Sequence, residues 1–322
     1  MRLPAIAVLP TAALLLIAGC SAPGDPEPTP GDGPYDPVTA GCTPTAAGPV
    51  SDGLELTGAD GDSPLVVVDQ PLSVTTTQRT VVDEGDGELV LPLDIVQVNV
   101  TLFSGVTGER ALTTGHGAAG QTLDLLLDEQ QTIPGIARTV ACSHVGDRVV
   151  GVAPPAEAYG SAGNEQAGIG PDEPVVYVVD VLGLSAPPAA AEWDDAPAVD
   201  FSGEIPEVAL EGDPSPELQL AVLEEGDGPL VRFGSHQVRV DYMGVSWDSG
   251  EVFDESFSGE PVAFGTARVV QGFAAALVGQ HVGSTVLVTM PPDYGYGPTP
   301  SADNPLGGQT LVFVVEILEL VP

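Results

Sequence analysis

Apolar and polar residues alternate in two segments of the second half of the chain, VRVDYMGV at 238–245 and STVLVTM at 284–290. A period of two predicts half-buried strands there. TLVFVVEILEL at 310–320 is a longer β-rich run. Between the strands, VVQGFAAALVGQHVG at 269–283 carries apolar residues near helical spacing, with Gly283 as the expected stop. The same pattern occurs earlier. HVGDRVVGVAPPAEAYG at 144–160 answers HVGSTVLVTMPPDYGYG at 281–297. Ile133-Pro134-Gly135-Ile136 answers Val270-Gln271-Gly272-Phe273, and a run ending the first copy pairs Tyr177 with Phe313. Upstream, EGDG at 84–87 answers EGDG at 225–228.

Two copies are too few for a solenoid, so the repeat predicts two tandem domains of one fold, 48–185 and 198–322. A Pro/Ala/acid-rich linker at 186–197 joins them. One short helix among several antiparallel strands gives an α+β plan in which the helix covers one sheet face.

The N-terminus adds a different kind of segment. Arg2 precedes an apolar run that ends in LIAGC at Cys20, too short for a comfortable membrane span. It resembles a lipoprotein signal peptide, 1–19, with Cys20 as the lipidated residue; the alternative is an ordinary export signal with an incidental cysteine. Residues 20–47 are Pro/Gly/acid-rich and read as a flexible tether. The expected location is the extracytoplasmic face of the cell membrane, held by lipid on Cys20.

Of three cysteines, Cys42 and Cys142 remain, in a chain expected to meet an oxidising compartment. They are candidates for a disulfide worth about 4–5 kcal/mol in the chain-entropy picture. The alternative is two buried thiols.

Charge excludes some partners. The formal net charge is −38, from 46 acids and 8 bases, and every base is Arg. Nucleic acid and anionic lipid head groups are disfavoured. No nucleophile elbow, zincin helix, P-loop or dinucleotide fingerprint occurs. His116, His144, His236 and His281 lack metal spacing, and GADGDS at 58–63 reads as a turn. Neither metal nor cofactor is expected.

In the second copy, VDYMG, GEVFDESF, PVAF, VVQGF, LVGQHVGS, PPDYGYG and TLVFVVEILEL follow in an order that closely resembles the FKBP-type peptidyl-prolyl cis–trans isomerases, over essentially all of 216–322. The resemblance is to bacterial, actinobacterial-like lipoproteins with two tandem FKBP-like domains. It implies a curved antiparallel sheet wrapped on one short helix in each domain. It implies a catalytic pocket of Tyr242, Phe253, Asp254, Val269, Val270, Phe273, Tyr296 and Phe313. Val262, Tyr294 and Leu306 are further substrate-binding candidates, Val262 and Leu306 standing where the family's pattern departs. Phe264 and Val240 read as plain core.

The implied partners are proline-containing exported polypeptides and macrolide-type inhibitors, with a monomeric chain. In the first copy Val100, Ala111-Leu112, Ile136 and Glu157 replace Tyr242, Phe253-Asp254, Phe273 and Tyr294, which implies a degenerate domain, inactive or nearly so, that binds extended client segments or acts as a spacer. An FKBP-fold holdase with little isomerase activity is the competing reading, and a purely structural surface lipoprotein is a third.

Overall fold

A computed structural model describes residues 42–58, 63–117, 120–234 and 236–321. The signal-peptide reading of 1–19, Cys20 and the tether up to residue 41 lie outside the described residues.

Short strands appear wherever apolar residues alternate. In chain order the elements are α1 (Pro49–Asp52), β1 (Glu55–Thr57), β2 (Leu65–Val67), β3 (Gln78–Asp83), β4 (Ile95–Ser104), β5 (Arg110–Thr114), β6 (Leu123–Leu126), α2 (Pro134–Val140), β7 (Arg148–Ala153) and β8 (Val175–Leu184). They continue with β9 (Ala191–Glu192), β10 (Val199–Asp200), β11 (Glu207–Val208), β12 (Gln219–Glu224), β13 (Gln237–Ser246), β14 (Val252–Glu255), β15 (Val262–Gly265), α3 (Gln271–Leu277), β16 (Thr285–Met290) and β17 (Leu311–Val321).

Two sheets result. The first runs β3-β7-β8-β4-β5, with β6 also on β4. The second repeats it as β12-β16-β17-β13-β14, with β15 on β13. The repeat extends to irregularities: a bulge between Gln97 and Val98 on β4 returns between Arg239 and Val240 on β13. One helix packs on the concave face of each sheet. In the second lobe it buries Phe273, Ala275, Ala276 and Leu277 against Val240, Val286, Val288 and Val315. Helix and strand approach closely because residue 272 is glycine; a Cβ there would lie 2.7 Å from the Met290 Cβ. The helix ends at Leu277, and the chain turns at Gly279 (φ +84°) rather than at Gly283, which serves the turn into β16.

The back of each sheet carries a second apolar layer. In the first lobe α1 and the β1–β2 hairpin cover Phe103, Val150, Val152, Val176 and Val178. In the second, the β10–β11 hairpin and Trp193 cover Met243, Val245, Leu287, Val312 and Val314. The segment expected as a linker is therefore partly built into the second lobe. Ala191 and Trp193 donate backbone hydrogen bonds to Leu218 and Leu220, making β9 a parallel strap along the β12 edge. The first lobe has a counterpart: Arg79 of β3 donates to the Ala46 carbonyl, and a Cys42–Cys142 disulfide holds that strap.

The lobes meet through a buried charge cluster. Arg232 pairs with Asp94 at 2.7 Å and Glu88 at 2.6 Å, and the His236 ring lies 3.1 Å from Asp94. Burial pushes the Asp94 carboxyl up, but hydrogen bonds from His236 and Arg232 more than offset it and hold the group below its ordinary value. No group of three or more His, Cys, Asp or Glu side chains able to hold a metal occurs among the described residues.

Candidate active site

The second lobe's concave face ends in an aromatic cluster. β13 supplies Tyr242, β15 supplies Phe264, α3 supplies Phe273 and β17 supplies Phe313. Their rings meet edge-on, with centroids 5.9 Å apart for Tyr242–Phe273, 5.2 Å for Phe273–Phe313 and 5.5 Å for Phe264–Phe273. They line a cavity of about 300 Å³ that is completed by Asp254, Arg268, Val269, Val270 and Tyr296.

Its polar groups are few. The Tyr242 hydroxyl donates to Asp254 Oδ2 at 2.8 Å. Burial pushes that hydroxyl up, and the Asp254 carboxylate pushes it further, so Tyr242 stays a protonated donor at any ordinary pH. Val270 is the N-cap of α3 in extended conformation, and its N–H has no acceptor among the described residues. Tyr296 is 42% exposed at the mouth. The arrangement suits a small apolar ring on Phe273, flanked by one free backbone donor and one carboxylate, with no nucleophile.

The sequence profile of the FKBP-type peptidyl-prolyl cis-trans isomerases matches residues 90–182 and 234–318, together more than half of the chain. The chain belongs to the FKBP family of peptidyl-prolyl isomerases. A probable FK506-binding protein of Corynebacterium glutamicum is 35% identical over 117 residues, covering 36% of this chain and 98% of the relative. An FK506-binding protein of Streptomyces anulatus is 32% identical over 128 residues, 38% of this chain and 96% of the relative. An FKBP-type 22 kDa isomerase of Escherichia coli is 38% identical over 105 residues, 32% of this chain and 50% of the relative.

Within this FKBP frame, Tyr242, Asp254, Val269, Val270, Phe273, Tyr296 and Phe313 line the one cavity. Phe253 stands behind it, edge-on to Phe313 at 5.5 Å and 85°. Gly244 makes room for that pair, since a Cβ there would lie 2.6 Å from Phe253 and 2.7 Å from Phe313. Tyr294 and Leu306 pack on the rim of the core rather than on the cavity wall. Val262 is 36% exposed, opposite Val240 in the sheet, and does not line the cavity.

Two wall residues escaped the sequence reading. Phe264, assigned to plain core, is a wall, because on a four-residue strand beside a bend alternation does not say which ring faces the pocket. Arg268 was unassigned; it reaches from the mouth to Gln131 of the first lobe, Nη2 donating at 3.0 Å. Its signal was present, since it is one of only 8 bases and directly precedes VVQGF.

The first lobe keeps the register and fills the space. Gly244 pairs with Phe313 in the second sheet; Leu102 pairs with Tyr177 in the first. Leu102, Ile136, Tyr177, Ala167 and Ile169 share one buried cluster. Ala167 and Ile169 come from the loop before the last strand. The Tyr177 hydroxyl is buried with no hydrogen-bond partner among the described residues, and burial pushes it far above the phenol range. Glu157, where the second lobe has Tyr294, accepts from Thr77 Oγ1 at 2.6 Å and pairs with Arg138 at 2.8 Å.

Proposed function

We propose that the second lobe's aromatic cavity performs the prolyl isomerisation, that the first lobe does not, and that the clients are exported polypeptides met at the outer face of the membrane through lipid on Cys20. The observation that carries this reading is the cavity itself: Phe273, Tyr242 and Phe313 edge-on around about 300 Å³, with the free Val270 N–H and Asp254 at its margin.

The physics needs no covalent step. Amide resonance sets a rotation barrier of about 18–20 kcal/mol. The planar amide is more polar than the twisted one, so an apolar cavity destabilises the ground state relative to the transition state. The proline ring sits on Phe273. The Val270 N–H receives the carbonyl preceding it, and Asp254, already holding Tyr242, orients the carbonyl side of the segment. Macrolide-type ligands are expected in the same space.

In a proline-peptide assay on the full chain, Phe273→Ala lowers kcat/KM by roughly two orders of magnitude, while the same measurement on Ile136→Ala stays at the unmodified rate. Equal losses from both would transfer the activity to the wrong lobe and sink the reading.

A holdase role is favoured by one observation only. Val252, Val262 and Tyr296 are exposed around the strands that carry Tyr242 and Asp254. If that surface were the main activity, suppression of client aggregation would survive Phe273→Ala unchanged.

A further inference from the structure

A second cavity of about 480 Å³ opens on the opposite, back face of the second lobe. Trp193 and Trp247 form its walls, with ring centroids 6.2 Å apart and planes at 32°. Asp195, Glu211 and Asp213 stand on its rim, all exposed.

The two indoles are held differently. The Trp247 Nε1–H donates to the Gly212 carbonyl at 3.1 Å, which fixes both that ring and the rim segment carrying Glu211 and Asp213. Trp193 is only 7% exposed, anchored in the back-face core, yet its Nε1–H has no acceptor among the described residues. None of the three rim carboxylates has an ion pair or a hydrogen bond among the described residues. No arginine lines the cavity.

These features specify a ligand chemistry. The partly exposed Trp247 indole attracts a flat, weakly hydrated cation. Three unpartnered carboxylates call for several N–H donors in one plane, which a guanidinium supplies and an ammonium does not. The free Trp193 N–H calls for an acceptor beside that cation, which a peptide carbonyl supplies. An anion is repelled by the rim. A neutral sugar leaves the carboxylates without counter-charge. We propose that this cavity captures an arginine side chain of a polypeptide, its guanidinium laid on the Trp247 indole beside Trp193 and neutralised by Asp195, Glu211 and Asp213, as a recognition site separate from the isomerase cavity.

The sequence provides the readout. The chain has 2 tryptophans, and both are in this cavity; the prolyl cavity has Phe273 instead. Intrinsic tryptophan fluorescence of the full chain therefore reports this site alone. Titration with the capped tripeptide acetyl-Gly-Arg-Gly-amide is expected to give a saturable change. The citrulline isostere, which keeps the shape and loses the charge, is expected to bind roughly tenfold more weakly or worse. The exposed pair Glu211→Gln with Asp213→Asn is expected to weaken the arginine peptide by a similar factor and to leave isomerase activity unchanged. Trp247→Phe, which retains an aromatic wall, reduces the signal and the affinity together. N-propylguanidinium, which has no carbonyl, binding as tightly as the tripeptide would overturn the role given to the Trp193 N–H. Equal binding of the citrulline peptide, saturation by neutral maltotriose in place of arginine, or no saturable change with any probe would overturn the proposal.

Discussion

Leu102 and Gly244 stand at one register position in two copies of the same sheet, and the difference between them is a cavity. Opposite Leu102 lies Tyr177, and the space between them is filled by Ile136 and Ile169. Opposite Gly244 lies Phe313, with Phe253 stacked into the room the missing Cβ leaves. A second position separates the copies by charge. Arg148 pairs with Asp180 in the first sheet, while Thr285 faces Glu316 in the second. Asp180 accepts two hydrogen bonds from Arg148 and lies 3.0 Å from His116. Glu316 has Asp241 across from it instead. One backbone thus supports a closed core stitched by buried charge and an open one walled by aromatics. Sheet register does not decide function; the size and sign of a few side chains on it do.

The largest expected effect comes from breaking the stitching of the closed lobe. Burial pushes Asp180 up, but His116 and Arg148 more than compensate, lowering it from 3.8 to about 2. A carboxyl depressed in the folded state contributes stability above its unfolded value and loses it as pH falls through the folded one. The first lobe's resistance to urea is therefore expected to fall between about pH 4 and pH 2. Asp180→Asn, which removes the carboxylate that Arg148 and His116 share, is expected to cost roughly 3–5 kcal/mol at pH 7. A cost below 1 kcal/mol would show the network to be dispensable.

The next test crosses the lobes. Gly244→Leu places the first lobe's side chain in the second, and kcat/KM is expected to fall by about two orders of magnitude, with overpacking costing roughly 1–3 kcal/mol in thermal unfolding. Retained activity would mean that the cavity tolerates the filling that closes its counterpart. Smaller is Tyr242→Phe, which removes the hydroxyl held by Asp254 and keeps the ring: a loss of several-fold in kcat/KM and about 1 kcal/mol in stability. Smallest is Glu316→Gln. Burial and the neighbouring Asp241 and Glu224 raise the Glu316 carboxyl above its ordinary value, so its charge opposes folding at neutral pH and that penalty fades as pH drops. The variant is expected to raise the second lobe's melting temperature slightly at pH 7 and not at pH 4; a lowered value at pH 7 would reverse the sign assigned here.

The strands, the helix and most of the cavity wall were legible in the sequence because they lie on strong local patterns. The repeat then made the missing rings of the first copy visible. What escaped has physical reasons. The Arg148–Asp180–His116 network joins residues far apart in sequence, so no local pattern announces it. The β10–β11 hairpin has strands of two residues, too short for a period. Trp193 lies in Pro/Ala/acid composition that reads as linker, and only tertiary packing buries it. Gly244 gave no signal in the strand pattern; only the packed sheet shows it as the vacancy that Phe253 and Phe313 share.

The straps along β3 and β12 bear on how copies of this protein behave when crowded. An uncovered strand edge is a template on which a neighbouring molecule can continue the sheet. Here each such edge meets a segment of its own chain that comes earlier in the sequence, so the guard is synthesised before the strand it protects. Opening the Cys42–Cys142 link releases one guard and not the other. Under reducing conditions, growth of β-type aggregates is expected to begin at the β3 edge.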